Sequence, residues 1–384
     1  MTKIISRELI IGGETLVAES AWNAEIEGKH ARLSAFLRAQ GLAAVLIRRS
    51  ENIAWATGGA VEMRVCIPQE TAVGALLITA QGRRFYLTTE NESRRQAEEE
   101  FEDLDFEAVT YPWYEDKLLS QARKLAGGPL GCDYPTADFT PVNFYPLRAS
   151  LTEPEIARYR WLGRQTADAT VEVLESLEPG ITEYEMEGRI GHALLRRGIL
   201  PSVLLMAADD RVLRYKHAVA RGAVLEEFGM LNLCSRKWGL SVSMTRFVHF
   251  GPLPSELAVR FVAASKVNAA LLDATRVGAT GADLFAVAQK AYQEVGFAGE
   301  EERHHQGGPT GYLEREWVAT PAGSDTVVDA QAFAWNPSIR GGKVEDTLLL
   351  QGGAWELLTP TPSLPRIEAP VDDSVYSATG VLIR

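Results

Sequence analysis

The segment Asn232-Leu-Cys-Ser-Arg-Lys-Trp-Gly-Leu-Ser-Val-Ser-Met-Thr-Arg-Phe-Val-His-Phe-Gly251 decides the fold. Apolar residues alternate with small or polar ones on either side of Lys237-Trp238-Gly239, and a period of two interrupted by a glycine-bearing turn reads as the two strands of a hairpin. To its N-terminal side the pattern is helical. Leu151-Thr152-Glu153-Pro154-Glu155 is a helix start in which Thr152 caps and Glu155 reaches back; the helix is expected to run to Leu177, and Pro179-Gly180 ends it. A second capping box, Thr182 with Glu185, opens another helix that stops at Gly198. The same punctuation returns after the hairpin: Gly180, Thr182 and Gly198 recur as Gly278, Thr280 and Gly296, each displaced by 98 residues. Two helices followed by strands, twice, predict two similar halves packed face to face, with the cleft between them as the place for chemistry.

Three further motifs follow: Gly307-Gly308-Pro309-Thr310-Gly311, Trp335-Asn336-Pro337 and Val344-Glu345-Asp346-Thr347. Together with Ser243-Met244-Thr245-Arg246 and Gly251, they make the chain resemble the methionine aminopeptidase, prolidase and creatinase family, the pita-bread proteins. The resemblance covers residues 150–360 strongly and the first 150 more loosely. It implies an α/β (α+β) fold of two domains. Residues 1–148 would form a creatinase-like N-terminal α/β domain, and 149–384 a pita-bread domain with pseudo-twofold halves around a curved antiparallel sheet.

In the metal-dependent members of that family, two divalent ions are held by two hairpin aspartates, a histidine in a Gly-His-Gly-type loop, a glutamate before a Pro-Gly turn and a glutamate in a Glu-Asp-Thr strand. The matching positions here are Asn232, Ser243, Gly308, Asn336 and Glu345, so one ligand of the set remains. Two divalent cations about 3.5–4 Å apart carry four positive charges, and hard carboxylate oxygens are what make such a site bind. Neutral amides, a hydroxyl and a glycine do not replace three carboxylates. His304 and His305 lie close to Gly308 and could stand in for the missing imidazole alone. A degenerate metal site and no cofactor are therefore expected.

Composition narrows the class. The 384 residues, 46% hydrophobic and 23% charged, suffice for two domains with substantial cores, and nothing in them suggests disorder. A net charge of −12 argues against nucleic acid or an anionic membrane as partner, because phosphate binding needs clustered Lys and Arg. Cys66, Cys132 and Cys234 are odd in number and widely spaced, the pattern of reduced thiols. The opening Met-Thr-Lys-Ile-Ile-Ser-Arg reaches no apolar run of signal length before Gly12, and no window approaches the ~20 apolar residues of a membrane span. These features point to the cytoplasm.

In the first 150 residues, Trp22, Ile26, Leu33, Phe36 and Leu37 make one stripe of a helix over 18–40 that ends at Gly41, followed by a strand over 43–47. Ser50-Glu51-Asn52-Ile53 starts a short helix. Residues 73–78 and 84–88 form a hairpin about Gln81-Gly82, residues 90–102 read as one solvated charged helix, and residues 131–148, rich in Pro, Asp and Thr, read as the linker.

The resemblance assigns roles residue by residue. At the place of His217 the family has a histidine facing the scissile bond, and in creatinase, which uses no metal, that histidine is the main acid/base. An unperturbed pKa near 6.5 suits such a task. The other reading of His217 is a surface or capping residue beside Tyr215 and Lys216. Glu345 lies in a run whose alternation puts Lys343, Glu345 and Thr347 on one face. It would orient a cationic substrate group or accept a proton that His217 relays; the alternative is a salt bridge to Arg246 or Lys343. His304 and His305 enter the glycine-rich loop and match a substrate-binding histidine. Arg315, where the family has the histidine of a His-Glu pair, would clamp an acidic substrate group if it points into the cleft. Arg246 is a substrate-binding candidate or a structural partner of Asp346 or Glu345. Arg64, in Val61-Glu62-Met63-Arg64-Val65, matches an arginine-bearing loop by which creatinase completes the site of its partner subunit, which implies a homodimer.

Three functions fit these residues. One is a metal-independent hydrolase of a C–N bond in a small amidine, guanidine or amide, with His217 and Glu345 as catalytic residues. Another is a non-catalytic binding module, as the pita-bread domain of a histone chaperone is. The third is an Xaa-Pro aminopeptidase or prolidase with an altered metal site. In each case the partner is a small molecule or short peptide, not nucleic acid or membrane.

Overall fold

The computed structural model describes residues 9–11 and 14–384, so the opening segment read above for a leader lies outside the described residues. The chain divides into two compact units, Met1–Arg158 with Trp238–Leu240, and Tyr159–Lys237 with Ser241–Arg384. Among the described residues no helix is long and apolar enough to cross a membrane.

In the first unit the helix Glu19–Ala39 buries Trp22, Ile26, Leu33 and Leu37, the stripe its spacing predicts. Gly41, at φ +66°, turns the chain out of it. The same helix also buries Glu25 and Lys29, which its periodicity does not announce. Lys29 Nζ lies 2.6 Å from Glu25 and 2.7 Å from Glu155, and Arg158 lies 2.7 Å from Glu25. Two cations and two carboxylates thus close on one another, the condition under which charges survive burial.

A six-stranded mixed sheet forms the rest of this unit's core, in the order Glu107–Tyr111, Arg84–Thr89, Thr71–Thr79, Ala44–Arg49, Leu130–Cys132, Thr140–Pro141. Its central pairs are antiparallel and its outer ones parallel. Two expectations are corrected here. Residues 131–148 are not a linker: they supply the edge strand Thr140–Pro141 and the helix Tyr145–Arg148. Their Asp133 is turned inward, accepting from the backbone N–H groups of Arg48 and Arg49 and from Asn52. The charged helix is α only over Glu90–Arg95 and widens to a π turn over Gln96–Glu100, where Gln96 is buried. Charge pattern alone cannot reveal such an inserted residue.

The second unit repeats a plan. Helices Glu153–Ser176, whose first turn belongs to the first unit, and Glu183–Leu195 precede the strands Leu200–Ala208, Phe228–Lys237 and Leu240–His249. Helices Ser255–Ala274 and Gly281–Glu294 precede Gly307–Thr310, Gln331–Trp335, Leu348–Gln351 and Ala354–Leu357. Each set makes an antiparallel sheet; Leu382–Ile383 adds a parallel edge to the first. The repeat read from glycines and threonines is present in hydrogen bonds. Thr182 and Thr280 both close capping boxes. The Gly180 N–H donates to Leu225 at 2.8 Å, and the Gly278 N–H to Val327 at 2.9 Å.

The central hairpin turns through Trp238 and Gly239 at φ +54° and +77°, two left-handed residues whose twist matches the flanking strands. All ten residues of Leu240–His249 are buried, so both faces of this strand are covered. Alternation therefore separates an apolar face, Leu240, Val242 and Met244, from a polar one, Ser241, Ser243 and Thr245. The polar face carries the site.

Candidate active site

Glu345 is the centre of a hydrogen-bonded network built on that polar face. Thr245 Oγ1 donates to Glu345 Oε2 at 2.6 Å, and Asn232 Nδ2 donates to the same oxygen at 3.1 Å. Arg315 Nη2 donates to Oε1 at 2.7 Å, and Lys343 Nζ lies 3.1 Å from Oε2. Arg315 Nη1 also donates to Ser243 Oγ at 2.9 Å. Burial pushes the Glu345 carboxyl up, but the charges of Lys343 and Arg315 and the bond from Thr245 outweigh it and hold the group at about 2. Glu345 is an ionised carboxylate throughout the neutral range and cannot serve there as a proton donor.

Of the run read as a strand only Lys343 lies in one, Gly342–Lys343; residues 344–347, Glu345 among them, connect it to Leu348–Gln351. Its facing is nevertheless as read. Thr245 N–H donates to the Glu345 carbonyl at 3.2 Å, and Thr347 exchanges two bonds of 2.9 Å with the Ser243 backbone. Arg246 points elsewhere. It donates to the carbonyls of Thr245, Glu345 and Thr359 and to the Asp346 carboxylate, tying the hairpin to the following segment. Among the described residues only its buried Nε lacks a partner.

Beside this network His217, His304 and His305 converge, with ligand atoms of all three within 4.8 Å of one another. His304 and His217 touch through their Nε2 atoms at 3.0 Å. His304 Nδ1 is buried without a partner among the described residues. The arrangement that leaves no buried N–H unpaired puts the proton on His304 Nε2 and makes His217 Nε2 the acceptor. His305 Nδ1 accepts from the Gly307 N–H at 3.2 Å. Burial, then Lys343, lowers both His217 and His304 from their ordinary values, and burial with Arg315 lowers His305 to about 4. All three imidazoles are neutral at pH 7, and His217 is the exposed member.

The other positions singled out in the sequence fall as follows. Gly308 lies in the strand Gly307–Thr310, opposite Ala334. Asn336 donates its backbone N–H to Gln306, and its side-chain oxygen is buried without a partner. Arg64 belongs to the first unit and pairs with Glu62 at 2.7 Å. Cys234 touches Ser243 Oγ at 3.1 Å, but burial and the nearby Glu345 push its thiol up to about 12, which leaves no nucleophilic thiolate. Lys343, read in the sequence only as sharing a face with Glu345 and as its salt-bridge partner, is that partner, and the sequence does not single it out as a site residue. Its one signal is the two-residue spacing from Glu345, which reads equally well as an isolated salt bridge.

Chain comparisons agree with this architecture. A model of metallopeptidase family M24 matches residues 157–351, and one of the creatinase/prolidase N-terminal domain matches residues 29–151. An uncharacterized peptidase of Staphylococcus haemolyticus is 26% identical over 230 residues, 56% of this chain and 63% of that protein. The match thus spans less than two thirds of that relative. Among solved structures, an Xaa-Pro dipeptidase from Bacillus anthracis aligns with a TM-score of 0.74 at 19% identity, covering 94% of this chain and 100% of that one. The N-terminal domain of a FACT complex subunit from chickpea aligns at 0.65 and 11% identity, covering 87% and 96%. These structural likenesses show the fold alone.

Proposed function

We propose, for a chain that belongs to metallopeptidase family M24, hydrolysis of a C–N bond in a small amide, amidine or guanidine without the family's pair of metal ions, with His217 moving the proton. Arg315 carries this reading. Its guanidinium lies against Ser243 and Glu345, two of the positions matched to metal ligands, so a fixed side-chain cation already offsets the remaining carboxylate.

The donor set at the matched positions does not fit two divalent ions. Both Glu345 oxygens are engaged, Asn232 turns a donor toward them, and Ser243 is bonded to Arg315. A Cβ built on Gly308 would meet the Trp317 carbonyl at 2.3 Å, so no ligating side chain fits there. The three histidines are the one cluster of metal-ligating side chains among the described residues. A dication there would face the fields of Lys343, Arg315 and Lys216, which already disfavour charge on His304 and His305.

The step follows from the protonation states. Neutral His217 takes a proton from water on Nε2, the water displacing His304 from that nitrogen, as the water oxygen bonds to the substrate carbon. The imidazolium then returns that proton to the leaving nitrogen as the C–N bond breaks. Glu345 stays ionised and offsets part of the charge of Arg315 and Lys343.

The test combines elemental analysis of the purified protein with a hydrolysis screen of amides, amidines and Xaa-Pro dipeptides, with and without chelator. Metal well below one ion per chain, chelator-insensitive turnover, and a fall in kcat of roughly 10²–10⁴ in a folded His217→Gln variant are expected. Stoichiometric metal with chelator-sensitive cleavage of Xaa-Pro peptides would overturn the reading in favour of an Xaa-Pro dipeptidase. One observation favours a second reading, a non-catalytic binding module: among the described residues no hydrogen bond joins Glu345 to His217, so the base lacks a carboxylate to orient it. Saturable peptide binding without any turnover in the same screen would support it.

A further inference from the structure

We propose that Lys343 and Arg315 form an oxyanion site, which selects the amide among the substrates of the hydrolase reading and receives the negative charge that develops on its carbonyl oxygen when water adds to the carbonyl carbon. The proposal rests on the hydrolase reading for its reaction, but its binding test does not.

Three observations carry it. First, the local charge does not cancel: two cations share one carboxylate, with Lys343 and Arg315 both on Glu345. The histidines alongside are neutral, so the cluster holds one positive charge in excess. Second, hydrogen-bond donors are left over. Lys343, only 6% exposed, has three N–H groups and one partner among the described residues, Glu345. Arg315 spends Nη1 on Ser243 and the Glu314 carbonyl and Nη2 on Glu345, while its Nε is buried without a partner. Buried donors without acceptors are costly unless a ligand supplies the acceptor. Third, both charges act on His217 and His305, which puts them near the group that would activate water.

The chemistry balances with the chain's own groups. Water adds to the carbonyl carbon as its proton passes to His217. The C=O π pair moves onto oxygen, where Lys343 and Arg315 meet it; the pair returns as the C–N bond breaks, and His217 gives its proton to nitrogen. Fixed cations aimed at a developing oxyanion do electrostatically what a Lewis acid does, and they need no reorganisation when the charge appears.

Calorimetric titration tests this with dimethylphosphinate, a tetrahedral monoanion, against neutral acetamide, acetate and inorganic phosphate at fixed ionic strength. Dimethylphosphinate should bind saturably and at least ten-fold more tightly than acetamide. Lys343→Gln and Arg315→Gln should each lower its affinity ten-fold or more. Glu345→Gln should raise it several-fold, because it removes the one opposing charge, and no misfolded protein would show such a gain.

Absence of phosphinate binding, equal binding of acetamide, or a preference untouched by Lys343→Gln overturns the proposal. Tighter binding of acetate or of phosphate than of phosphinate also overturns it, by assigning the cations to a carboxylate or phosphate carried on the ligand. His217→Gln separates this proposal from the hydrolase reading: it should abolish turnover and leave phosphinate binding intact. Anion preference with no turnover of any substrate sinks the hydrolase reading alone, whereas turnover that survives Lys343→Gln undiminished sinks the oxyanion site alone.

Discussion

At Gly308 the space around one Cα decides what chemistry is open to the site. The Trp317 carbonyl lies 2.3 Å from where a Cβ would sit, so the histidine that the family resemblance implies for this position is sterically refused, not merely unhelpful. Gly308→His should destabilise the protein by about 1–3 kcal/mol through overpacking and should gain no metal affinity. Thermal melts and elemental analysis of the variant would check this, and a stable variant that binds an ion would contradict it. Residue identity is the most legible level in the sequence. The family resemblance that the motifs carry singles out His217, His304, His305, Arg315 and Glu345, and all five meet or adjoin one another in the second unit. The inward direction of Arg315 is not legible, because which way a loop side chain points depends on partners distant in sequence, here Ser243 and Glu345. Lys343 escapes for a related reason: a lysine two residues from a glutamate is commonplace on a surface, and only its burial gives it weight.

Among the elements, punctuation is more informative than periodicity. Gly180 and Gly278 end equivalent helices, and each sits at a backbone angle that glycine alone adopts readily, φ +101° and +91°. No atom lies within 4 Å of a Cβ built at either, so a substitution there meets backbone strain and no clash. Gly180→Ala and Gly278→Ala should therefore each cost about 1–2 kcal/mol, by similar amounts and additively to within about 0.5 kcal/mol. Denaturant unfolding of the two single variants and the double would measure it. Costs that differ by more than about 1 kcal/mol would mean that the two halves are not structurally equivalent there, whatever their shared hydrogen bonds. The repeat is readable because capping boxes and left-handed glycines are local devices. Two features are not: the edge strand Thr140–Pro141 and the π turn at Gln96–Glu100 exist only because neighbouring strands and buried side chains select them. A proline- and aspartate-rich stretch looks the same in sequence whether it is solvated or turned inward on Asp133.

Over the whole molecule, a net charge of −12 coexists with a site that holds two cations to one carboxylate, so the global balance says nothing of the local field. The titration behaviour joins these scales, because several histidines are kept neutral inside. His30 in the first unit is lowered to about 4 by burial, then by Arg84, and His305 in the second to about 4 by burial, then by Arg315. In an unfolded chain both would titrate near 6.5. As pH falls below that value the unfolded state takes up protons that the folded state refuses, so stability present above about 6.5 is lost down to about 4. Each histidine accounts for about 2.5 kcal/mol by pH 4.5, because every pH step of one over which only the unfolded chain holds the proton is worth about 1.4 kcal/mol. Asp133 runs the other way. Burial raises its carboxyl to about 6, so the folded state holds that proton first and part of the loss is offset between about 6 and 4. Glu345, held at about 2, is not reached in this window. Two histidines against one aspartate leave a net decline, and the melting temperature should fall steadily from pH 6.5 to 4.5. His30→Gln and His305→Gln should each flatten that limb, and Asp133→Asn should steepen it. A melting temperature that is level or rising toward pH 4.5 in the unmodified protein would mean that these imidazoles accept protons in the folded state.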